Sequence, residues 1–184
     1  MQLLYTGAET PNAQQTNPNL SLGGYVSATV VNLTRANALF GDISYLSKYN
    51  KTPITRGFVL KNDSTDNATG VLVGYEYTPN NGYKLEVAFA TLAQPDQMEQ
   101  IMSQGDTPYY AEFSEANLST VNPIFDNSVN VGTIAAGASL GMWLRLTPNA
   151  GTKSCETLLA EQTTPPSSAN VVLKVTFTPV APTP

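Results

Sequence analysis

The 184-residue sequence contains no histidine and only one cysteine, Cys155. Without histidine, the chain can form no Ser-His-Asp triad, no Cys-His pair and no imidazole zinc site. A single cysteine excludes an intrachain disulfide and a cysteine metal cluster. We interpret Cys155 as a small, partly buried side chain. We expect no cofactor, no metal and no enzymatic activity.

Charged residues are also scarce, at 12% of the chain, and the net charge is −5. The nine basic residues are scattered and form no cluster of the kind that binds phosphates, so we expect no direct contact with nucleic acid. No apolar run approaches the roughly 20 residues of a membrane-spanning helix. The first residues lack the features of a secretory signal, which predicts synthesis in the cytoplasm.

The chain is rich in Asn, Thr, Ser, Gly and Pro, which separate short runs of alternating β-branched and aromatic residues. This pattern is typical of strands joined by turns. Three successive runs, 55–62, 71–78 and 83–92, predict a meander with one buried and one solvent-facing side. Further strands are predicted at 25–31, 108–116, 129–151 and 167–180.

One segment has the pattern of a helix. Asp96 is placed to cap it, and Glu99 completes an arrangement like a capping box. Met98, Ile101 and Met102 would then share one face. We therefore predict a short helix over Asp96–Gln104 that covers one end of a sheet.

Together these elements predict an all-β fold, an antiparallel β-sandwich of the immunoglobulin-like or jelly-roll-like kind with that one helix. Residues 1–24 are expected to form an extended N-terminal arm, and residues 25–178 the sandwich domain. Residues 179–184 are expected to form an extended C-terminal tail.

Two sets of residues with side-chain oxygen atoms are candidate chemical sites. Asp63, Asp66 and Asn67 carry oxygen atoms that suit calcium, but their spacing matches no EF-hand loop, and a turn favours the same residues. Glu76 and Glu86 flank a predicted hairpin, as paired carboxylates of a glycosidase would require. Alternating charges are also the ordinary solvent face of a sheet, and we favour that interpretation.

The N-terminal arm carries apolar residues only near its two ends. These residues, which we treat as candidate assembly contacts, flank a spacer rich in Pro, Asn and Gln. They predict a strap that docks at two points on a neighbouring subunit or on another protein of a particle. The alternative is an edge strand at 1–5 that pairs with its own sheet. The candidate contacts are Leu3, Leu4, Tyr5, Leu20 and Leu22.

Three segments, in this order, resemble small β-sandwich structural proteins of tailed-bacteriophage virions. They are NALFGDIS from Asn37, TRGFVLKNDSTDNATGVLVGYEY from Thr55, and VGTIAAGASLGMWLRL from Val131. Together they make up 47 of the 184 residues. The residues that match the family pattern are Leu39, Phe40, Asp42, Ile43, Ser44, Arg56, Leu60, Lys61, Asn62, Ile134, Gly137, Trp143 and Arg145.

The resemblance implies a structural protein that decorates the capsid or forms part of the neck or tail. Its partners would be copies of itself and other virion proteins, namely capsid, portal or tail proteins. It would be made in the cytoplasm of the host bacterium and end in the virion. The alternative is a receptor- or glycan-binding module that stacks sugars on exposed aromatic residues. The candidates for that role are Trp143, Tyr109, Tyr110, Tyr75 and Tyr77.

Overall fold

The computed structural model describes residues 1–34, 38–41, 52–77, 83–92, 94–109, 114–115, 129–148 and 171–181. Predictions for Asp42, Ile43, Ser44, Tyr110 and Cys155 lie outside the described residues, as does the end of the tail at 182–184. The described chain is nearly all antiparallel β-structure and forms a half-barrel. Its one helical element is a 3-10 turn at Pro18–Leu20, capped by the side chain of Asn17.

Ten strands make up the described fold, and they confirm most of the strand predictions. Within the run predicted at 108–116, the described part of the chain has one short strand, at Ser114–Glu115. The strands are β1 (Gln2–Ala8), β2 (Gly24–Val30), β3 (Ile54–Lys61), β4 (Asn67–Tyr77), β5 (Tyr83–Ala90), β6 (Gln97–Met98), β7 (Ser114–Glu115), β8 (Val129–Ile134), β9 (Ser139–Pro148) and β10 (Val171–Val180).

The strands form a large sheet of order β6-β2-β1-β3-β9-β5-β7 and a small sheet of order β10-β4-β8. The predicted meander is therefore wrong, because β3 and β4 lie in different sheets and β5 pairs with β9. The reason lies in β3, of which seven of eight residues are buried. A strand with apolar side chains on both faces is most stable at the centre of a sheet, between two neighbours.

The two sheets share one apolar cluster, which we call the inner core. The large sheet contributes Phe58 and Met142, and the small sheet contributes Val71 and Val73. The rings of Tyr5 and Phe58 lie 6.1 Å apart in this cluster. Its buried members are Leu3, Tyr5, Val31, Ala38, Leu39, Phe40, Ile54, Phe58, Leu60, Ala68, Val71, Val73, Leu85, Val87, Ile134, Met142, Leu144 and Leu146.

The opposite face of the large sheet is also buried, in a second cluster that we call the outer core. Val59 and Trp143 project into it from the sheet, and Met98 and Ile101 cover it from the segment 94–109. The large sheet is therefore buried on both faces at β3 and β9, and the expectation of one solvent-facing side is wrong for β3.

The predicted N-terminal arm is wrong for its first part. Gln2–Ala8 forms β1, which lies between β2 and β3 inside the large sheet. Leu3 and Tyr5 enter the inner core and Leu4 enters the outer core, so the strand has buried side chains on both of its faces. Burial of these three side chains and pairing with both neighbouring strands stabilise the segment within its own domain.

Hydrogen bonds fix much of the rest of the predicted arm. The buried side chain of Gln15 donates through Nε2 to the carbonyl of Thr6 at 2.6 Å and to Ser21 Oγ at 3.2 Å. The amide of Gly23 donates to Thr6 Oγ1 at 3.1 Å. Gln15 and Ser21, which belong to the predicted extended arm, therefore serve as internal hydrogen-bond partners.

The predicted helix over Asp96–Gln104 is also wrong. The carbonyl of Asp96 accepts from the amide of Val26 at 2.8 Å, and the amide of Ile101 donates to Leu22 at 2.9 Å. Hydrogen bonds to the neighbouring strand and loop replace those within a helical turn, and Gln97–Met98 becomes strand β6. Local helix signals are weak and tertiary pairing overrides them.

Among the described strands, the C-terminal strand lies at an edge of the small sheet, where β4 is its neighbour. The alternation from Val171 to Phe177 predicts an interior strand, and this prediction is wrong. Pro179 and Val180, at the end of the predicted strand and the start of the predicted tail, pair with Ala68 and Asn67. The start of the tail is thus part of the sheet.

Candidate functional site

The structure separates the five candidate assembly contacts. Leu3, Leu4 and Tyr5 are buried in the two cores and are not accessible to another protein. Leu22 is partly buried against the outer core. Leu20, at the end of the 3-10 turn, is exposed. The two-point strap that the sequence predicted is therefore not present on the surface.

The two glutamates lie on strands of different sheets and do not form a pair on one hairpin. Glu86, on β5, accepts from Arg145 Nε at 2.7 Å, and Thr147 Oγ1 lies 3.4 Å from the same carboxylate oxygen. Glu76 is on β4, opposite Val172 of β10. Glu86 is buried, so its interpretation as part of the solvent face of a sheet is wrong, and it forms a buried ion pair with a cation on the adjacent strand β9.

The acidic loop after β3 engages the protein itself. Asp63 accepts from the N-terminal ammonium group of Met1 at 2.7 Å, and this contact lowers the pKa of the Asp63 carboxyl group. Asn67 Oδ1 accepts from the amide of Ala136 at 3.0 Å. Within the described ranges, no three acidic or thiol side chains come together as metal ligands.

Trp143 is fully buried in the outer core, and its Nε1 has no hydrogen-bond partner there. It packs over Gly57 of the neighbouring strand, where a Cβ atom would collide with the indole ring. Trp143 is therefore a core residue and presents no surface to a sugar. Tyr109, by contrast, is exposed.

Arg56 joins three separate segments at one end of the large sheet. Its side chain is 1% exposed, and its Nη2 donates to Asn19 Oδ1 at 2.9 Å and to Gln104 Oε1 at 3.0 Å. The same nitrogen lies 3.4 Å from the carbonyl of Phe40, and Nη1 donates to Thr55. Burial lowers the pKa of Arg56 to about 10, so the guanidinium still carries its charge at neutral pH.

Asn62 joins the two sheets in a similar way. Its fully buried side chain donates through Nδ2 to the carbonyls of Asp66 at 2.8 Å, Ile134 at 3.0 Å and Ala135 at 3.1 Å. Its Oδ1 accepts from Ser64 Oγ at 2.8 Å. The loop after β3 is thus tied to the turn between β8 and β9.

The surface feature that remains is the set of sheet edges. Edge strands carry unpaired backbone donors and acceptors that can pair with another chain. The large sheet ends in β6 and β7, each only two residues long in the described part of the chain. Very short edge strands offer little to a partner. The small sheet ends in β8 and β10, which are longer.

The two long edges differ in regularity. In β8, Gly132 has a φ of 80°, and its amide donates to Asn130 Oδ1 at 2.9 Å, so an amide of this edge is already engaged. Strand β10 runs for ten residues, and among the described residues it pairs only with β4. Its residues from Thr176 to Val180 are all exposed. We therefore take the outer side of β10, which we call the β10 edge, as the candidate functional site.

Searches against protein families, curated proteins and solved structures found no match to this chain. Among the described residues, no helix has the length and apolar character needed to cross a membrane.

Proposed function

We propose that this chain is a structural protein of a tailed-phage virion that assembles through protein–protein contacts, as a capsid-decorating protein or as part of the neck or tail. In this proposal the chain is an immunoglobulin-like or jelly-roll-like sandwich made in the host cytoplasm. Its partners are other copies of itself and other virion proteins. Catalysis and small-molecule binding are not part of the proposed function.

The observation that carries this proposal is the β10 edge. It offers a ten-residue strand, whose exposed residues from Thr176 to Val180 are uncharged. Backbone pairing along such a strand gives affinity without a side-chain pocket. Each contact is modest, but contacts repeated over a symmetric particle add up.

The resemblance to virion proteins supports the proposal through the framework of the fold. Arg56 joins three segments, Asn62 joins the two sheets, and Trp143 fills the outer core. Gly137 has a φ of 71°, which only glycine adopts readily, in the turn between β8 and β9. Residues that match the family pattern thus have structural roles in this fold, as expected if the resemblance reflects a shared fold.

The proposal is tested by purifying phage particles from cells that express the chain during infection and measuring its abundance by quantitative mass spectrometry. We expect a fixed ratio of this chain to the major capsid protein, unchanged by washes at high salt. A ratio that varies between preparations, or loss of the chain on washing, would contradict the proposal. A density map of the particle would then locate the chain at capsid, neck or tail.

The alternative of glycan binding loses support from the burial of Trp143, since a stacking residue must face water. A glycan array probed with the isolated protein distinguishes the two functions. Specific binding that Tyr109→Ala abolishes would favour the alternative. We expect no specific binding.

A further inference from the structure

We propose that the β10 edge pairs with the β10 edge of a second copy, antiparallel and around a twofold axis at Phe177. This inference rests on the proposed function and names the partner that the edge would take. In this register Thr176 of one copy lies opposite Thr178 of the other, and Lys174 lies opposite Val180. The small sheets of two copies then form one continuous sheet of six strands.

A second copy is the partner that the charge pattern favours. The chain has a net charge of −5, so two copies repel each other at most relative orientations. The β10 strand has no acidic residue, and its one charged residue is Lys174. With the axis at Phe177, the two lysines are placed at opposite ends of the paired segment, and no like charges face each other.

The side chains along this register also suit cross-strand pairing. Threonine pairs are favourable directly across an antiparallel ladder, and the register forms two such pairs from Thr176 and Thr178. Phe177 of each copy meets its equivalent at the axis; it is 37% exposed in the single chain. The carbonyl of Thr178 faces β4, so the backbone groups on the outer side of the strand are those of Val175, Phe177 and Pro179. The two copies of Phe177 exchange both of their hydrogen bonds. Pro179 has no amide proton, but its carbonyl can accept from the amide of Val175 in the other copy.

The strand itself is regular at this position. Between Thr176 and Thr178 the register with β4 shifts, because Leu72 and Thr69 of β4 are three residues apart where their β10 partners are two apart. The extra residue therefore belongs to β4, where Gly70 has a φ of 56°. Such a bulge bends its own strand and leaves the partner strand extended.

The proposed contact between two β10 edges is small, so its detection requires a method that traps weak dimers. Pairing seven residues of each copy buries much less than the roughly 1,200 Å² of a stable interface. The free protein should therefore be monomeric in dilute solution and pair where copies are held close together, as on a particle. An oxidative cross-link traps such a weak contact.

The test uses Phe177→Cys in the full chain with Cys155→Ser, so that the new thiol is the only one. Residues that face each other across an antiparallel ladder have Cα atoms about 4.5–5.5 Å apart, which a disulfide can span. We expect a disulfide-linked dimer on oxidation of concentrated protein. The matched control is Thr133→Cys on the β8 edge of the same sheet, where the exposed thiol should give no dimer above that of random collision.

Charge variants in the Phe177→Cys background test the register. Thr176→Lys with Thr178→Lys places lysines opposite each other and should abolish the cross-link, as should the same pair of positions changed to Glu. Mixing the Lys and Glu variants should restore a cross-linked heterodimer. Equal cross-linking by Phe177→Cys and Thr133→Cys, or no effect of the charges, would overturn the proposal.

The same variants separate this inference from the proposed function. If the intact chain is absent from particles while the cross-link forms as expected, the virion function fails and the pairing stands. The opposite outcome has three parts: the chain is present in particles, the cross-link is absent, and the double Lys variant enters particles to the same extent as Thr133→Lys. In that case the pairing fails and the virion function stands.

Discussion

At the scale of single residues, Arg56 has the greatest consequence for the fold. A buried cation is costly unless its donors are satisfied, and here neutral oxygen atoms from four residues accept from it: Asn19, Phe40, Thr55 and Gln104. Its Nε has no partner among the described residues. The guanidinium therefore joins three segments, but its buried charge is not fully satisfied by hydrogen bonds, which lowers the stability of the fold.

We predict that Arg56→Lys lowers the free energy of unfolding by about 1–3 kcal/mol, because a lysine keeps the charge but cannot reach the separate acceptors. Arg56→Met should lose less, since it removes the buried charge as well. Lys61→Met, at the end of the same strand, is the control and should stay within about 0.5 kcal/mol. Urea unfolding measures all three. A lysine variant as stable as the original would show that the bridging contacts contribute nothing.

Glycine positions allow backbone strain to be separated from steric overlap. Gly23 and Gly137 both have positive φ, at 83° and 71°. A Cβ at Gly23 would overlap the carbonyl of Glu99, whereas nothing lies within 4 Å of one at Gly137. We predict that Gly137→Ala costs about 1 kcal/mol from strain alone and that Gly23→Ala costs at least 2 kcal/mol more. Equal thermal unfolding midpoints for the two variants would contradict this.

At the scale of elements, the sequence predicted strands better than it predicted their neighbours. The strands β3 and β9 could be predicted because the periodicity of their apolar residues is a local property of the sequence. Pairing depends on which apolar faces meet, and Phe58 and Val59 show that β3 has two such faces. The sequence suggested a hairpin from the turns around β4, but the turn at 62–66 passes from one sheet to the other.

The segment around β6 gives a direct test of strand against helix. In a helix, Met98 and Met102 would share one face; in the structure they are 2% and 88% exposed. We therefore predict that Met98→Ala lowers the free energy of unfolding by about 2–5 kcal/mol, while Met102→Ala changes it by no more than about 0.5 kcal/mol. Similar losses from both substitutions, measured by chemical denaturation, would favour the helix.

The position of β10 at an edge predicts a contrast between two phenylalanines. Phe58 is fully buried in the inner core, whereas Phe177 is 37% exposed. We predict that Phe58→Ala costs about 3–5 kcal/mol. Phe177→Ala should cost no more than about 1 kcal/mol, because much of its surface already faces water. If the two variants have equal unfolding midpoints, β10 is not an edge strand.

At the scale of the whole molecule, the candidate site was less predictable than the fold. Leu3, Leu4 and Tyr5 are apolar residues beside a polar spacer, and this pattern predicts contacts with another protein. The spacer proved to be ordered by Gln15, a type of contact that leaves no apolar signal in the sequence. The β10 edge could not be predicted from residues 171–180 alone, because whether a strand is central or at an edge depends on every other strand.

The central position of β1 makes a prediction for truncation. Removing residues 1–8 takes away a strand that pairs with both β2 and β3 and splits the large sheet. We predict that the truncated chain shows no cooperative thermal unfolding by circular dichroism, whereas removing only the exposed side chain with Leu20→Ala leaves the melting temperature within a few degrees. A truncated chain that melts like the intact one would restore the strap interpretation.

The partnership of β4 with β10 also has a consequence for synthesis on the ribosome. Thr69 and the carbonyl of Thr178 that accepts from it are 109 residues apart in the chain. At about 5–20 residues per second, β4 emerges some 5–20 seconds before the strand that completes its sheet. During that interval the apolar side of β4, with Val71 and Val73, lacks part of its cover. A chaperone that holds nascent chains would therefore raise the yield of folded protein most when translation is slow.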